Sequence, residues 1–165
     1  MKNKIALSVL LSLFCGAVLA DSGDLKVSVA GVRGSEGSVR IAVYRDEKTF
    51  GKEKKAVTVR EAIARGGDVG ITIRSLPAGR YAIFAYHDRN ANRKFDRTLG
   101  LVDAEGQGLS NNPERSAEHN FDSAAFDFAG GDVAQIHIEL DYCHSGPDEE
   151  KSLARSVKCW ATLAD

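Results

Sequence analysis

Long apolar runs are almost absent from this sequence. The one present, Ile5 to Leu19, is shorter than the roughly 20 residues that span a bilayer, which excludes a transmembrane anchor there. A surplus of basic charge is lacking as well. Lys and Arg number 22 against 23 Asp and Glu, and basic stretches such as Lys52 to Lys55 are short and mixed with acid, so nothing resembles a nucleic-acid footprint. There is no nucleophile elbow and no His-Glu-x-x-His pattern. Cysteine and histidine do not occur at the paired spacing of a zinc site. Before residue 147 no long helical period appears.

What is present begins with an export pattern. Lys2 and Lys4 form a positive head, Ile5 to Phe14 an apolar segment, and Val18-Leu19-Ala20 ends it with the small residues a signal peptidase reads. Cleavage is expected before Asp21, making residues 1–20 a signal peptide and the protein periplasmic or secreted. Cys15 lies behind the bulky Phe14, an unfavourable context for lipidation. The mature chain has 145 residues, with 20 basic against 23 acidic, enough for one domain with a real core.

Alternation of apolar and polar residues dominates that chain. It recurs in Leu25 to Val29, Val39 to Val43, Val57 to Val59, Val69 to Ile73, Phe126 to Phe128 and Ile136 to Leu140. Period two means strands with one buried face. Tyr81 to Tyr86 is apolar on both faces, which suits a central strand. About seven short strands separated by Gly-rich turns predict an all-β, antiparallel β-sandwich over residues 21–142. The turn Leu76-Pro77-Ala78-Gly79-Arg80-Tyr81 is similar to one found in transthyretin-like sandwiches; an immunoglobulin-like arrangement fits the same pattern.

Residues 143–165 read differently. Pro147 and the acids Asp148 to Glu150 suit a helix start, and Leu153, Val157 and Trp160 follow at helical spacing. A short C-terminal helix packed on the sandwich is expected. Cys143 and Cys159 form an even pair in an exported chain, so a disulfide is expected, one that would stabilise by roughly 3 kcal/mol in the chain-entropy account. The rival is a metal site of Cys143, His144 and Cys159.

One loop could carry chemistry. In His87 to Asp96, side-chain oxygens fall at Asp88, Asn90, Asn92 and Asp96. These match positions 1, 3, 5 and 9 of a calcium loop, with the Lys94 carbonyl at position 7. Calcium takes six to eight hard oxygens, and this spacing curls alternate side chains toward one centre. Arg93 stands where such loops have Gly, and Leu99 where they have a bidentate Glu; Asp103 or Glu105 could supply that carboxylate from the next turn. Arg89, Arg93, Lys94 and Arg97 add positive charge, which opposes a cation. The competing reading is a turn-rich loop in which Asp and Asn bond their own backbone.

The stretches HDRNANRKFD, LGLVDAEGQGLSNN and FDSAAFDF resemble the bacterial domain-of-unknown-function family 2141. The resemblance runs from about Leu25 to Tyr142. Its matching positions are His87, Asp88, Asn90, Asn92, Lys94, Asp96, Gly100, Glu105, Gly106, Gly108, Ser110, Asn111 and Asn112. Ala91 and Arg93 stand where the family has glycines. The family implies exported proteins and no established activity.

Three functions follow as expectations. The first is a non-enzymatic binding module, for an unknown protein or polar ligand of the cell envelope, whose ligand loop holds calcium or a polar group. His87, Ser110, Asn111 and Asn112 border that loop. The second is a periplasmic hydrolase using His87, Asp88, Glu105 and Ser110. The third is transition-metal handling through His119, His137, His144 and the cysteines.

Overall fold

The computed structural model describes residues 21–96, 105–114 and 118–142. The expected signal peptide, Arg97 to Ala104, Cys143, Cys159 and the expected C-terminal helix lie outside these residues.

Among the described residues, eight strands form two sheets packed as a sandwich. They are β1 (Ser22–Val32), β2 (Ser38–Tyr44), β3 (Thr58–Ile63), β4 (Gly67–Pro77), β5 (Gly79–Asp88), β6 (Gln107–Leu109), β7 (Phe126–Phe128) and β8 (Gly131–Glu139). One helical turn, α1 (Phe121–Ala124), precedes β7, and Asn120 caps it by accepting the Ser123 amide. Sheet one has the order β4-β1-β8 and sheet two the order β3-β2-β5-β6. β7 pairs with the start of β5, at Gly79 to Tyr81, and β6 with its later part, at Phe84 to Tyr86. Among the described residues, no helix is long and apolar enough to cross a membrane.

Two features differ from the sequence-based expectation. β6 is an additional strand; three residues, Gln-Gly-Leu, are too few for period two to show, and they sit among turn-forming residues. β8 runs parallel to β1, with Val27 opposite Ile136, although all other named pairings are antiparallel. The chain leaves sheet two at β7 and crosses to sheet one, so the hairpin geometry that makes neighbours antiparallel does not apply to this connection.

Alternation buries one face of sheet one: Leu25, Val27, Val29, Val69, Ile71, Ile73 and Ile138 meet Val39, Ile41, Val43, Tyr81 and Ile83 of sheet two. The outer face of sheet two is covered too. Ala42, Tyr44, Ala82, Phe84, Tyr86 and Leu109 pack under Phe50, Phe121 and Ala124. Tyr81 to Tyr86 is therefore apolar on both faces because both faces are buried.

The register orders that outer face into rows. Ala42 lies opposite Phe84, and Phe84 opposite Leu109, which gives an apolar row. One step nearer the rim, Glu61, Arg40, Tyr86 and Gln107 stand side by side across four strands. Arg40 donates from Nε to the Tyr86 hydroxyl at 2.9 Å, from Nη2 to Glu53 at 2.7 Å, and from Nη1 to Glu61. Burial opposes the Arg40 charge, and the bonds to Glu53 and Tyr86 more than offset it, holding its pKa above the ordinary value. The last row, at the rim, brings Ser38 opposite Asp88. The His87 amide donates to the Gly106 carbonyl at 2.8 Å, and continuing this ladder one residue sets Glu105 beside Asp88.

Candidate functional site

β5 ends in His87-Asp88, and strand alternation sends the two side chains to opposite faces. His87 faces inward and is fully buried. Its Nε2 donates to the Glu36 carbonyl at 2.8 Å, which leaves Nδ1 to accept from the Tyr142 hydroxyl at 2.9 Å. That hydroxyl accepts the Arg33 amide at 2.9 Å, and burial raises its pKa, so it keeps the proton it donates. The Tyr142 ring also fills the space over Gly106, where a Cβ would stand 2.3 Å from it. At Gly108 a Cβ would lie 2.4 Å from the Glu139 carbonyl oxygen. The Glu-Gly-x-Gly motif thus lets β6 lie flat against the end of β8, where Gln107 and Asp141 exchange backbone bonds of 2.9 and 2.8 Å.

Asp88 faces outward beneath its loop and is also fully buried. Its Oδ1 accepts the Asn92 amide at 3.0 Å and its Oδ2 the Arg93 amide at 2.8 Å. Glu105 clamps both sides of the same loop, accepting the Arg89 amide at 3.0 Å and the Asp96 amide at 2.9 Å. Asn90 and Asn92 each turn their side-chain oxygen onto the amide two residues on, at 3.0 and 2.8 Å, the geometry of successive Asx-turns. Both Asn side chains also donate to Asp96 Oδ2, at 2.8 and 2.6 Å. Phe95 pins the loop to the sheet, with ring centroids 5.4 Å from Phe84 and 5.7 Å from Tyr86. Lys94 is exposed.

The oxygens of Asp88, Asn90, Asn92, Asp96 and Glu105 are thus all engaged within one loop. In this arrangement they are directed at backbone and side-chain N–H groups. Among the described residues, no three His, Cys, Asp or Glu side chains are gathered as a metal-holding group. A cation would have to recruit Asn oxygens and exchange some of these N–H bonds. Burial pushes the Glu105 carboxyl up to about 7; the charges of Asp88 and Asp96 add to the rise and the two amides oppose it. Two of the loop's positive charges are turned toward acids outside it: Arg89 pairs with Glu36 and Arg93 with Glu61, both at 3.7 Å.

Ala91 and Arg93 keep the left-handed backbone that glycines would supply, with φ of 56° and 62°. A non-glycine residue costs roughly 1–2 kcal/mol there. Ala91→Gly should therefore stabilise the protein by about 0.5–1 kcal/mol once glycine's own entropy is offset, read as a rise in the urea midpoint at unchanged slope.

Ser110, Asn111 and Asn112 direct their side chains to backbone groups of the sandwich. Ser110 is fully buried; its Oγ accepts the Ile83 amide at 2.8 Å and donates to the Ala124 carbonyl at 2.5 Å. Asn111 donates to the Ala125 carbonyl at 2.6 Å. The Asn112 side chain pairs with β8 as a strand would, donating to the His137 carbonyl at 3.0 Å and accepting the Glu139 amide at 2.8 Å. His119 is buried, which lowers its pKa, whereas His137 is exposed on β8. Gln107, Tyr142 and the Arg40 group were not legible as site residues. Gln107 follows Glu105 at period two, a signal that becomes readable only once β6 is known to be a strand. A cleft of about 290 Å³ lies beside β6, lined in part by Asn112, Glu114, Glu139 and Asp141.

Against this geometry stand the comparisons with known proteins. The family model described as "Uncharacterized protein conserved in bacteria (DUF2141)" matches residues 27–136. No curated protein and no solved structure matches the chain.

Proposed function

We propose, for a chain that belongs to this family of uncharacterized bacterial proteins, that it is an exported β-sandwich binding module whose rim loop 88–96, with Glu105, takes a hard divalent cation, calcium being the first candidate. The observation that carries this reading is the pair Asp88 and Glu105: two buried carboxylates side by side, under a loop whose remaining side chains offer oxygens. Burying two like charges together is costly, and a cation among them relieves that cost. Neutral carbonyl oxygens from Asn90 and Asn92 suit calcium, which is bound through oxygen alone.

A binding role is favoured over a hydrolase because His87 and Ser110 spend their polar atoms on the fold. It is favoured over transition-metal handling because the loop offers hard oxygens rather than imidazole or thiolate. Export rests on the Lys2-to-Ala20 pattern, and the expected Cys143–Cys159 bridge belongs to the same compartment.

Thermal unfolding of the mature protein tests the reading, in EDTA and in millimolar calcium, with magnesium as control. Binding to the folded state alone raises stability by about 2.7 kcal/mol at a hundredfold excess over Kd. The expected result is a midpoint raised by several degrees in calcium and no rise in Asp88→Ala. Equal midpoints in calcium and EDTA would reject the cation and leave a self-bonded turn.

A further inference from the structure

We infer that Gln107 supplies a neutral oxygen ligand to the same cation, so that the site extends from the loop down onto the face of the sheet; this rests on the calcium reading above. Gln107 is 4% exposed, and its Oε1 has no hydrogen-bond partner. A buried carbonyl oxygen left in that state is unfavourable, and such groups are nearly always matched by a protein group, a water or an ion. The register fixes where this oxygen stands. Gln107 lies directly opposite Tyr86 on the outer face of sheet two. Asp88 follows Tyr86 at period two on one strand, and Glu105 precedes Gln107 at period two on the other. Asp88, Glu105 and Gln107 therefore share one corner of that face, under the loop that Phe95 pins to Tyr86.

The rest of the row does not compete for the amide oxygen. The Tyr86 hydroxyl donates to Glu53 at 2.9 Å and accepts from Arg40. Arg40 sits beyond Tyr86 and is neutralised by Glu53 and Glu61, which shields a cation from its charge. Two carboxylates plus a neutral amide oxygen give a ligand mix suited to calcium, which takes carboxylate, amide and backbone oxygens together. Gln107 would also explain how a loop with Leu99 at its last position completes its donors: the missing oxygen comes from the neighbouring strand.

Calcium titrations followed by calorimetry test this with four proteins: wild type, Gln107→Leu, Gln107→Glu and Asp88→Ala. Leucine nearly conserves the volume and removes the unmatched oxygen. If Gln107 is a ligand, Gln107→Leu keeps or raises its melting temperature in EDTA, yet its calcium Kd weakens at least tenfold. Gln107→Glu, which restores an oxygen at that position, binds within a few-fold of wild type or more tightly. If Gln107→Leu is stabilised in EDTA and binds calcium as wild type does, the inference is overturned while the loop reading survives. If wild type itself shows no calcium binding, both fall.

Discussion

Gly37→Ala should cost at least about 3 kcal/mol, since an added methyl meets a closer contact there than at any other described glycine. Gly37 has a φ of +69°, and a Cβ there would lie 1.9 Å from the Asp88 carbonyl oxygen and 2.7 Å from that of Arg89. Both obstacles are backbone, so no side chain can rotate away. Relief requires β2 and β5 to part where Ser38 faces Asp88, which is the floor of the candidate site. Gly67→Ala is the internal control. Its φ of +71° is nearly the same, but nothing lies within 4 Å of the added methyl, so only the backbone term of roughly 1 kcal/mol applies. Urea denaturation of the two variants separates strain from clash. Similar losses for both would mean that the close approach of Gly37 to Asp88 is absent in solution.

Arg40→Met should destabilise by about 2–3 kcal/mol. Truncating one partner of a buried ion pair typically costs about 3–5 kcal/mol because the other charge is left unpaired. The figure is lower here because Glu53 and Glu61 keep side-chain exposures of 33% and 44%, and water can take over part of the role of the guanidinium. The Tyr86 hydroxyl also loses its donor. Arg80→Met is the comparison: the Arg80–Asp122 pair has a good distance, 3.1 Å, but exposures of 53% and 75%, so its loss should stay below about 0.5 kcal/mol. Chemical denaturation measures both. Equal effects would show that the buried polar row contributes no more than a surface pair.

Much of this was legible in the residues. Alternation located the inner face of β1, β2, β4 and β8 because each of those strands turns one face to the core; it failed at β3, which begins at Thr58, leaves Val57 exposed and turns Val59 to the outer cluster. The two-sided apolar run Tyr81 to Tyr86 marked the central strand, and two-sided burial is what the structure shows. At Asp88 to Asp96 the spacing marked a loop whose Asp and Asn side chains bond its own backbone and one another. What stayed hidden depends on contacts distant in sequence. β6 is a strand only because β5 lies on one side and the Asp141 bridge on the other. Gly106 and Gly108 read as turn residues, but their reason is the Tyr142 ring and the Glu139 carbonyl more than 30 residues away. Arg40 looked like the polar face of an alternating strand, yet it is buried, because the β2–β3 connection folds Glu53 back over it.

The most direct test follows the backbone amides of the loop by heteronuclear NMR as calcium is added to the EDTA-treated mature protein. The amides of Asn92 and Arg93 bond Asp88, and those of Arg89 and Asp96 bond Glu105. A cation drawing on those carboxylates must alter these four bonds. The predicted result is a saturable shift of these amides, lost in Asp88→Ala, with little change at Glu114 and Glu139 beside the cleft. Loop resonances that stay fixed through millimolar calcium, or shifts confined to the cleft, would contradict the assignment of loop 88–96 as the ligand site.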